Sequence, residues 1–205
     1  MAIMPHPERG PKSPMPKIFT SMRKYMEGAE LAGSVEPLIF DERRPELSTY
    51  KHLSDTIELF VELIITDNEA QTIENVLRQK GFDVRVQKWI HYQVDHVDGV
   101  DQKALAKELI DSGELLNTNK ETVGIVNDED WEFNRRADAA YFLVRDREDS
   151  IGASKTAKIH HHLGKDKVEK VQRGWFWEVI GDVDLEKLLA TNVFANHHAQ
   201  VLHKY

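Results

Sequence analysis

Two stretches of the chain line up without a gap. Val86-Gln87-Lys88-Trp89-Ile90-His91-Tyr92-Gln93-Val94 matches Val171-Gln172-Arg173-Gly174-Trp175-Phe176-Trp177-Glu178-Val179. An internal repeat constrains a fold more than any local pattern, because each copy must be able to build the same unit. The patterns around the two stretches follow one order. In the first half Ile57, Leu59, Val61, Leu63 and Ile65 alternate, the period-2 sign of a strand with one buried face. Thr66 and Glu69 predict a capping box, and Ala70, Ile73, Val76 and Leu77 recur at helical spacing up to Gly81. Val84 to Val94 alternate again, and Asp98-Gly99 is a turn that opens a helix with Leu105, Leu109 and Ile110 on one side. Thr122 to Val126 closes the unit as a short strand. In the second half a strand is expected at Ala139–Val144 and a helix at Ser150–Leu163, ending at Gly164. A long strand at Val168–Ile180, a helix at Asp184–Ala190 and a last strand at Ala199–Tyr205 follow. Leu105 and Leu109 fall on Leu185 and Leu189 at a slightly different offset.

The chain therefore divides into an N-terminal arm (1–56), a first unit (57–126), a linker (127–138) and a second unit (139–205). Prolines 5, 7, 11, 14 and 16 keep the start of the arm out of helix interiors and ladders. The arm is expected to be largely irregular, with a short helix around Phe19–Leu31 and an extended piece at Val35–Phe40. The linker is polar except for Trp131 and Phe133. A unit of about 70 residues supplies only a marginal core. The two units are thus expected to share one, through Trp175, Trp177, Ile90 and Tyr92, with Lys88 and Arg173 toward the ends of those faces.

Composition removes several function classes. Lys and Arg number 27 against 35 Asp and Glu, a net charge of −8, which argues against a nucleic-acid partner. With no cysteine there is no disulfide, zinc–thiolate centre or thiol nucleophile. Leu63-Ile64-Ile65 is far too short to span a bilayer, and the first 16 residues hold no apolar signal core, so a cytoplasmic protein without a membrane partner is expected. Ten histidines raise the question of a metal. His160-His161-His162 ends a helix, where the dipole favours His on its own account. His197, His198 and His203 lie near the C-terminus, and no HExxH spacing joins any of them. Asp149-Ser150-Ile151-Gly152-Ala153-Ser154-Lys155 starts a helix that could attract an anion, but neither GxxxxGK[ST] nor GxGxxG is present. Asp128-Glu129-Asp130 reads as a solvated charge run in the linker. No catalytic residue, cofactor or metal site is assigned. The chain reads as a binding or scaffold module.

Glu186-Lys187-Leu188-Leu189-Ala190-Thr191-Asn192-Val193 is similar to the EKLLAN-x-V segment of the PurS family, the small subunit of phosphoribosylformylglycinamidine synthase. Val168-x-x-Val171-x-x-Gly174-x-x-x-Glu178-Val179 resembles that family's V-x-x-VRxGKxxEL strand, and Asp149-Ser150-Ile151-Gly152 resembles its DPQG turn, with Ser150 and Ile151 in place of Pro and Gln. The first unit keeps the β-α-β layout and Val84-Arg85-Val86-Gln87-Lys88 but not the turn or the EKLLAN segment. The resemblance implies two tandem ferredoxin-like β-α-β-α-β units in pseudo-two-fold arrangement, a PurS dimer made covalent. It implies a non-catalytic role in purine synthesis, bridging the synthetase and glutaminase subunits, with a homo-oligomer as a further possibility. Asp149, Gly152, Lys187 and Asn192 are its partner-binding candidates.

Overall fold

The computed structural model describes Arg23 and residues 47–53, 55–126 and 135–205. The helix and extended piece expected in the arm, and linker residues 127–134 with Trp131 and Phe133, lie outside the described residues. The chain divides into Met1–Glu42 and Arg43–Tyr205, and every element named here belongs to the second.

That unit is α+β: seven strands in one mixed sheet and four helices. The strands are β1 (Leu47–Thr49), β2 (Thr56–Leu63), β3 (Arg85–His96), β4 (Glu121–Ile125), β5 (Ala139–Asp146), β6 (Val168–Ile180) and β7 (Gln200–Lys204). The helices are α1 (Asn68–Gln79), α2 (Gln102–Asp111), α3 (Ser150–Leu163) and α4 (Leu185–Leu189). Strand order across the sheet is β1-β7-β5-β6-β3-β2-β4, so beyond β1 the chain's two halves lie side by side with β6 and β3 in the middle. Those two run antiparallel, Val86 opposite Val179, Ile90 opposite Trp175 and Val94 opposite Val171.

The two halves match in detail. β2 and β5 each have eight residues, and β4 and β7 each have five. Each helix starts on an aspartate cap, Asp67, Asp101, Asp149 and Asp184, whose carboxylate accepts backbone N–H groups of the first turn. Before β4, Asn117 Oδ1 accepts from Asn119 N–H and Asn117 N–H donates to the Glu121 carboxylate. Before β7, Asn196 Oδ1 accepts from His198 N–H and Asn196 N–H donates to Gln200 Oε1. His197 and His198 therefore belong to an asparagine-initiated turn.

All four helices sit on one face of the sheet, and the clusters beneath them join the two halves. Leu105, Ala106 and Leu109 of α2 join Ile159 of α3 over Ile57, Leu59, Val61, Tyr92, Val94 and Val171. Ala70 and Leu77 of α1 join Leu188 and Leu189 of α4 over Val86, Phe142, Val144, Trp177 and Val179. Each half's longest helix rests on its own half's central strand, α1 on β3 and α3 on β6, and shares its cluster with strands of the other half, so the shared core expected from the small unit size is present. Tyr92 and Trp177 are buried in it, and Ile90 and Trp175 are half-buried against it. Lys88 lies over the Trp177 ring at 5.9 Å and Arg173 over Trp175 at 4.6 Å. Among the described residues no helix is long and apolar enough to cross a membrane.

Four local expectations need correcting. The first strand stops at Leu63, and Ile64 and Ile65 are 64% and 65% exposed. The cap of α1 is Asp67 and not Thr66, because Asp67 Oδ1 reaches both Glu69 N–H and Ala70 N–H, while the Glu69 carboxylate meets Lys88. The caps Asp101 and Asp184 place Leu105 with Leu188, both fully buried, instead of with Leu185. The end of the arm, finally, is not irregular: Leu47–Thr49 adds β1 parallel to β7.

Trp177 is 2% exposed and touches a core built from both halves. Trp177→Ala should cost about 3–5 kcal/mol, the usual range for truncating a buried aromatic. Denaturant unfolding followed by one probe in each half should show a single transition shifted for both. A shift confined to the second half would show that the halves fold independently.

Candidate functional site

The face of the sheet opposite the helices is where polar and titratable side chains converge. Strand alternation puts Glu58 and Phe60, His91 and Gln93, Tyr141, Leu143 and Arg145, and Gln172, Phe176 and Glu178 on that side. Phe60, Tyr141, Leu143 and Phe176 form its apolar floor, with Tyr205 packed edge-on to Phe60 and Phe176. Within this floor Glu58 is 1% exposed and His91 is 0% exposed. Such groups are tolerated inside only when hydrogen-bonded and charge-compensated.

Both conditions are met. The Glu58 carboxylate accepts from Tyr50 Oη at 2.5 Å and from His52 Nδ1 at 2.8 Å on one oxygen, and from His91 Nε2 at 3.3 Å on the other. Arg145 supplies the opposite charge. Its Nη2 donates to Gln93 Oε1 at 2.8 Å and approaches His91 Nδ1 at 3.5 Å, its Nη1 donates to Gln172, and its plane lies 5.4 Å over the Tyr50 ring. Burial would raise the Glu58 pKa, but the hydrogen bond and charge interaction with His91, with the hydrogen bonds from Tyr50 and His52, outweigh it and hold the group below the usual carboxylate range. Burial, with Arg145 adding to it, pushes the His91 pKa down against the pull of Glu58. A neutral imidazole with the proton on Nε2 fits this geometry, donating to Glu58 while Nδ1 faces the Arg145 donor. Burial and the bond to Glu58 push the Tyr50 hydroxyl pKa up, and burial beside Glu58 takes Tyr205 to about 12.

The network ties the segment after β1 (Tyr50, His52) to β2, β3, β5 and β6. Its central carboxylate and imidazole are closed to solvent, and none of the three cavities found beside Ile125, Lys88 and His197 is lined by either group. It is an internal bolt between the halves. Glu58 and Gln93 are not among the residues singled out from the sequence. The signal that could have found them is the aromatic residue on the same face of each neighbouring strand, Phe60, Tyr141 and Phe176.

Asp149 and Gly152 serve the fold. Asp149 caps α3 through Gly152 N–H at 2.7 Å, and its second oxygen accepts from Arg173 N–H at 2.6 Å, joining the helix to β6. A Cβ on Gly152 would stand 2.6 Å from the Val171 carbonyl and closer still to the Asp149 carboxylate. The glycine is there because helix and strand touch backbone to backbone. Lys187 lies in α4 and Asn192 just after it, both exposed, Lys187 Nζ 3.7 Å from Asp184 and Asn192 in left-handed backbone at φ 54°. Among the described residues no hydrogen bond or ion pair joins them to the Asp149–Gly152 pair. His161 and His162 are exposed, His162 meeting Glu114 at 3.0 Å, and His160 Nε2 donates to the Val168 carbonyl at 2.7 Å. No group of three or more His, Asp or Glu among the described residues could hold a metal ion.

Comparison with protein-family models finds no match. Comparison with curated proteins finds none either.

The low Glu58 pKa is a stability statement. The carboxylate's stabilising contacts are fully present above its unfolded pKa and are lost as pH falls through its lowered folded value. The wild-type chain should therefore lose stability from this group as pH falls below about 4.5. Glu58→Gln should be less stable at pH 7 and lack that part of the acid dependence. Equal acid dependence in both chains would mean that Glu58 is not the buried anion described.

Proposed function

We propose that the chain is a PurS-like, non-catalytic subunit of phosphoribosylformylglycinamidine synthase, built as a covalent dimer of two ferredoxin-like units. The observation that carries the duplication is the central register. Ile90 and Trp175 occupy equivalent places in the repeated sequence stretches, and they lie directly opposite one another in the sheet. A two-fold axis between antiparallel strands brings equivalent residues face to face at one point and exchanges the pairs on either side. Val86–Val179 and Val94–Val171 are such an exchanged pair. The matched strand lengths, aspartate caps and asparagine turns support the same reading.

The assignment to purine synthesis rests on the resemblance of the second half. Its EKLLA segment forms α4, anchored by buried Leu188 and Leu189, and leaves Lys187 and Asn192 exposed for a partner. In this role the chain is cytoplasmic and carries no cofactor. It bridges the ATP-dependent synthetase and the glutaminase and helps ammonia pass between them. The closed Glu58–His91 network supports a structural part rather than a catalytic one. The rival is a diverged module of the same fold with a regulatory or oligomerisation role. It is favoured by the Asp149-Ser150-Ile151-Gly152 turn, which departs from the family pattern and is committed to capping and packing.

Affinity capture of the tagged full chain from its own cells tests the reading. Synthetase and glutaminase should be recovered together with the chain, and glutamine-dependent amidine formation should need it. Capture that recovers neither enzyme, with full glutamine-dependent activity in cells lacking the chain, would leave the rival standing.

A further inference from the structure

The shortest strand of the sheet leads into a ring that lies against its buried charges. β1 has three residues, all exposed, and pairs with β7. Such short, exposed strands open at the low end of a protein's range of local opening energies. Tyr50 follows β1. Its N–H donates to Lys204 O at 2.7 Å, and its hydroxyl donates to Glu58 at 2.5 Å. Its ring stacks on Tyr205 at 5.2 Å and meets His91 edge-on at 5.8 Å and His203 at 6.3 Å. The Arg145 guanidinium lies 5.4 Å from the same ring. Ser48 of β1 adds a contact of 2.7 Å from its Oγ to His203 Nδ1.

Two imidazoles in this cluster stand where a second proton is disfavoured. His91 gives Nε2 to Glu58 and turns Nδ1 toward Arg145 Nη2 at 3.5 Å. A proton added on Nδ1 would therefore face a guanidinium inside the fold. Glu58 of β2 favours the charged ring, while burial, Arg145 of β5 and His52 after β1 oppose it. Burial keeps the Tyr50 and Tyr205 hydroxyls protonated. From β6, uncharged Gly174 stands opposite His91, and Glu178 is engaged by the Tyr141 hydroxyl. His203 of β7 is half-buried, and burial and Arg145 push its pKa down as well. Both rings are kept neutral while the cluster is closed and take up protons more readily once it opens.

We propose that β1 and Tyr50 form an acid-released strap: protons on His91 and His203 set three cations around Tyr50 against the Glu58 carboxylate, and the strap leaves the β7 edge. In the closed form each ring lies below the ordinary histidine value of 6.5. The closed form is thus fully favoured above about pH 6.5 and loses ground as pH falls toward the lowered values. Glu58 keeps its charge through that range, so release comes before the acid loss due to the carboxylate itself. Release uncovers the β7 edge and the Arg145 guanidinium while the β3–β6 junction holds. The strap does not depend on the purine reading.

Hydrogen exchange of the full chain between about pH 7.5 and about pH 5 tests this, with the imidazole signals followed by NMR on the same samples. The exchange rate of Tyr50 N–H is compared with its intrinsic rate at each pH. Its protection should fall about tenfold per pH unit for each proton taken up, and so by up to about a hundredfold. His91 and His203 should gain their protons over the same range, while the central amides of β3 and β6 stay far better protected. His91→Gln keeps a donor for Glu58 and an acceptor for Arg145 but takes no proton, so its Tyr50 protection should fall only about tenfold per unit. If that variant fails to fold, His203→Gln, with the same expected slope, and the wild-type titration decide. Constant Tyr50 protection down to about pH 5, or a protonated His91 beneath a still protected Tyr50, would overturn the proposal. So would variants that keep the wild-type slope. Equal loss of protection at the centre of the sheet would also overturn it, because the whole unit would then be unfolding.

Discussion

The pairing of β3 with β6 is the interaction on which the rest of the molecule depends. Among the described residues it is the longest ladder in the sheet, running from Arg85 opposite Ile180 to His96 opposite Val168, and the only one that joins strands of opposite halves. Because these strands are central, the helix following β2 and the helix following β5 each share a cluster with the other half's strands. Leu77 of α1 is fully buried in the cluster that holds Trp177, and Ile159 of α3 in the cluster that holds Tyr92.

On the helix-free face the same junction creates an electrostatic problem and its solution. A buried carboxylate on β2 is countered by a guanidinium on β5, with His91 and Gln93 of β3 between them. Glu58 comes from the first half and Arg145 from the second. Losing either partner would leave a buried charge without its counterpart, a situation that usually costs several kcal/mol. The network therefore favours one arrangement of the halves over others as well as adding stability. It also recruits Tyr50 and His52, which fixes the chain just after β1 at the sheet's far edge.

Much of this was legible in the residues. Ser150–Leu163 and Val168–Ile180 have the predicted ends because Asp149, Gly164 and the alternation of valines and tryptophans mark them sharply. The gapless match of Val86–Val94 with Val171–Val179 anticipated strands that prove to be partners. Other features were hidden for physical reasons. Ile65 continues the alternation in sequence, but β2 ends at Leu63, with only the Ile64 N–H bonding on to the Lys120 carbonyl. Leu47–Thr49 has no strand signature and is a strand only because β7 offers it an edge. Periodicity assigns residues to faces, not to an interior, so nothing in the alternation marks Glu58 as the buried residue it is. That each long helix shares its cluster with strands of the opposite half follows from the β3–β6 pairing and leaves no mark on either helix.

Native-state hydrogen exchange in low denaturant tests the single shared junction most directly. If β3–β6 holds both halves in one cooperative unit, the slowest amides of β2 and β3 and those of β5 and β6 should converge on one opening free energy, equal to that of global unfolding. Two separate limits, one for each half, would show that the halves open independently and would contradict the account.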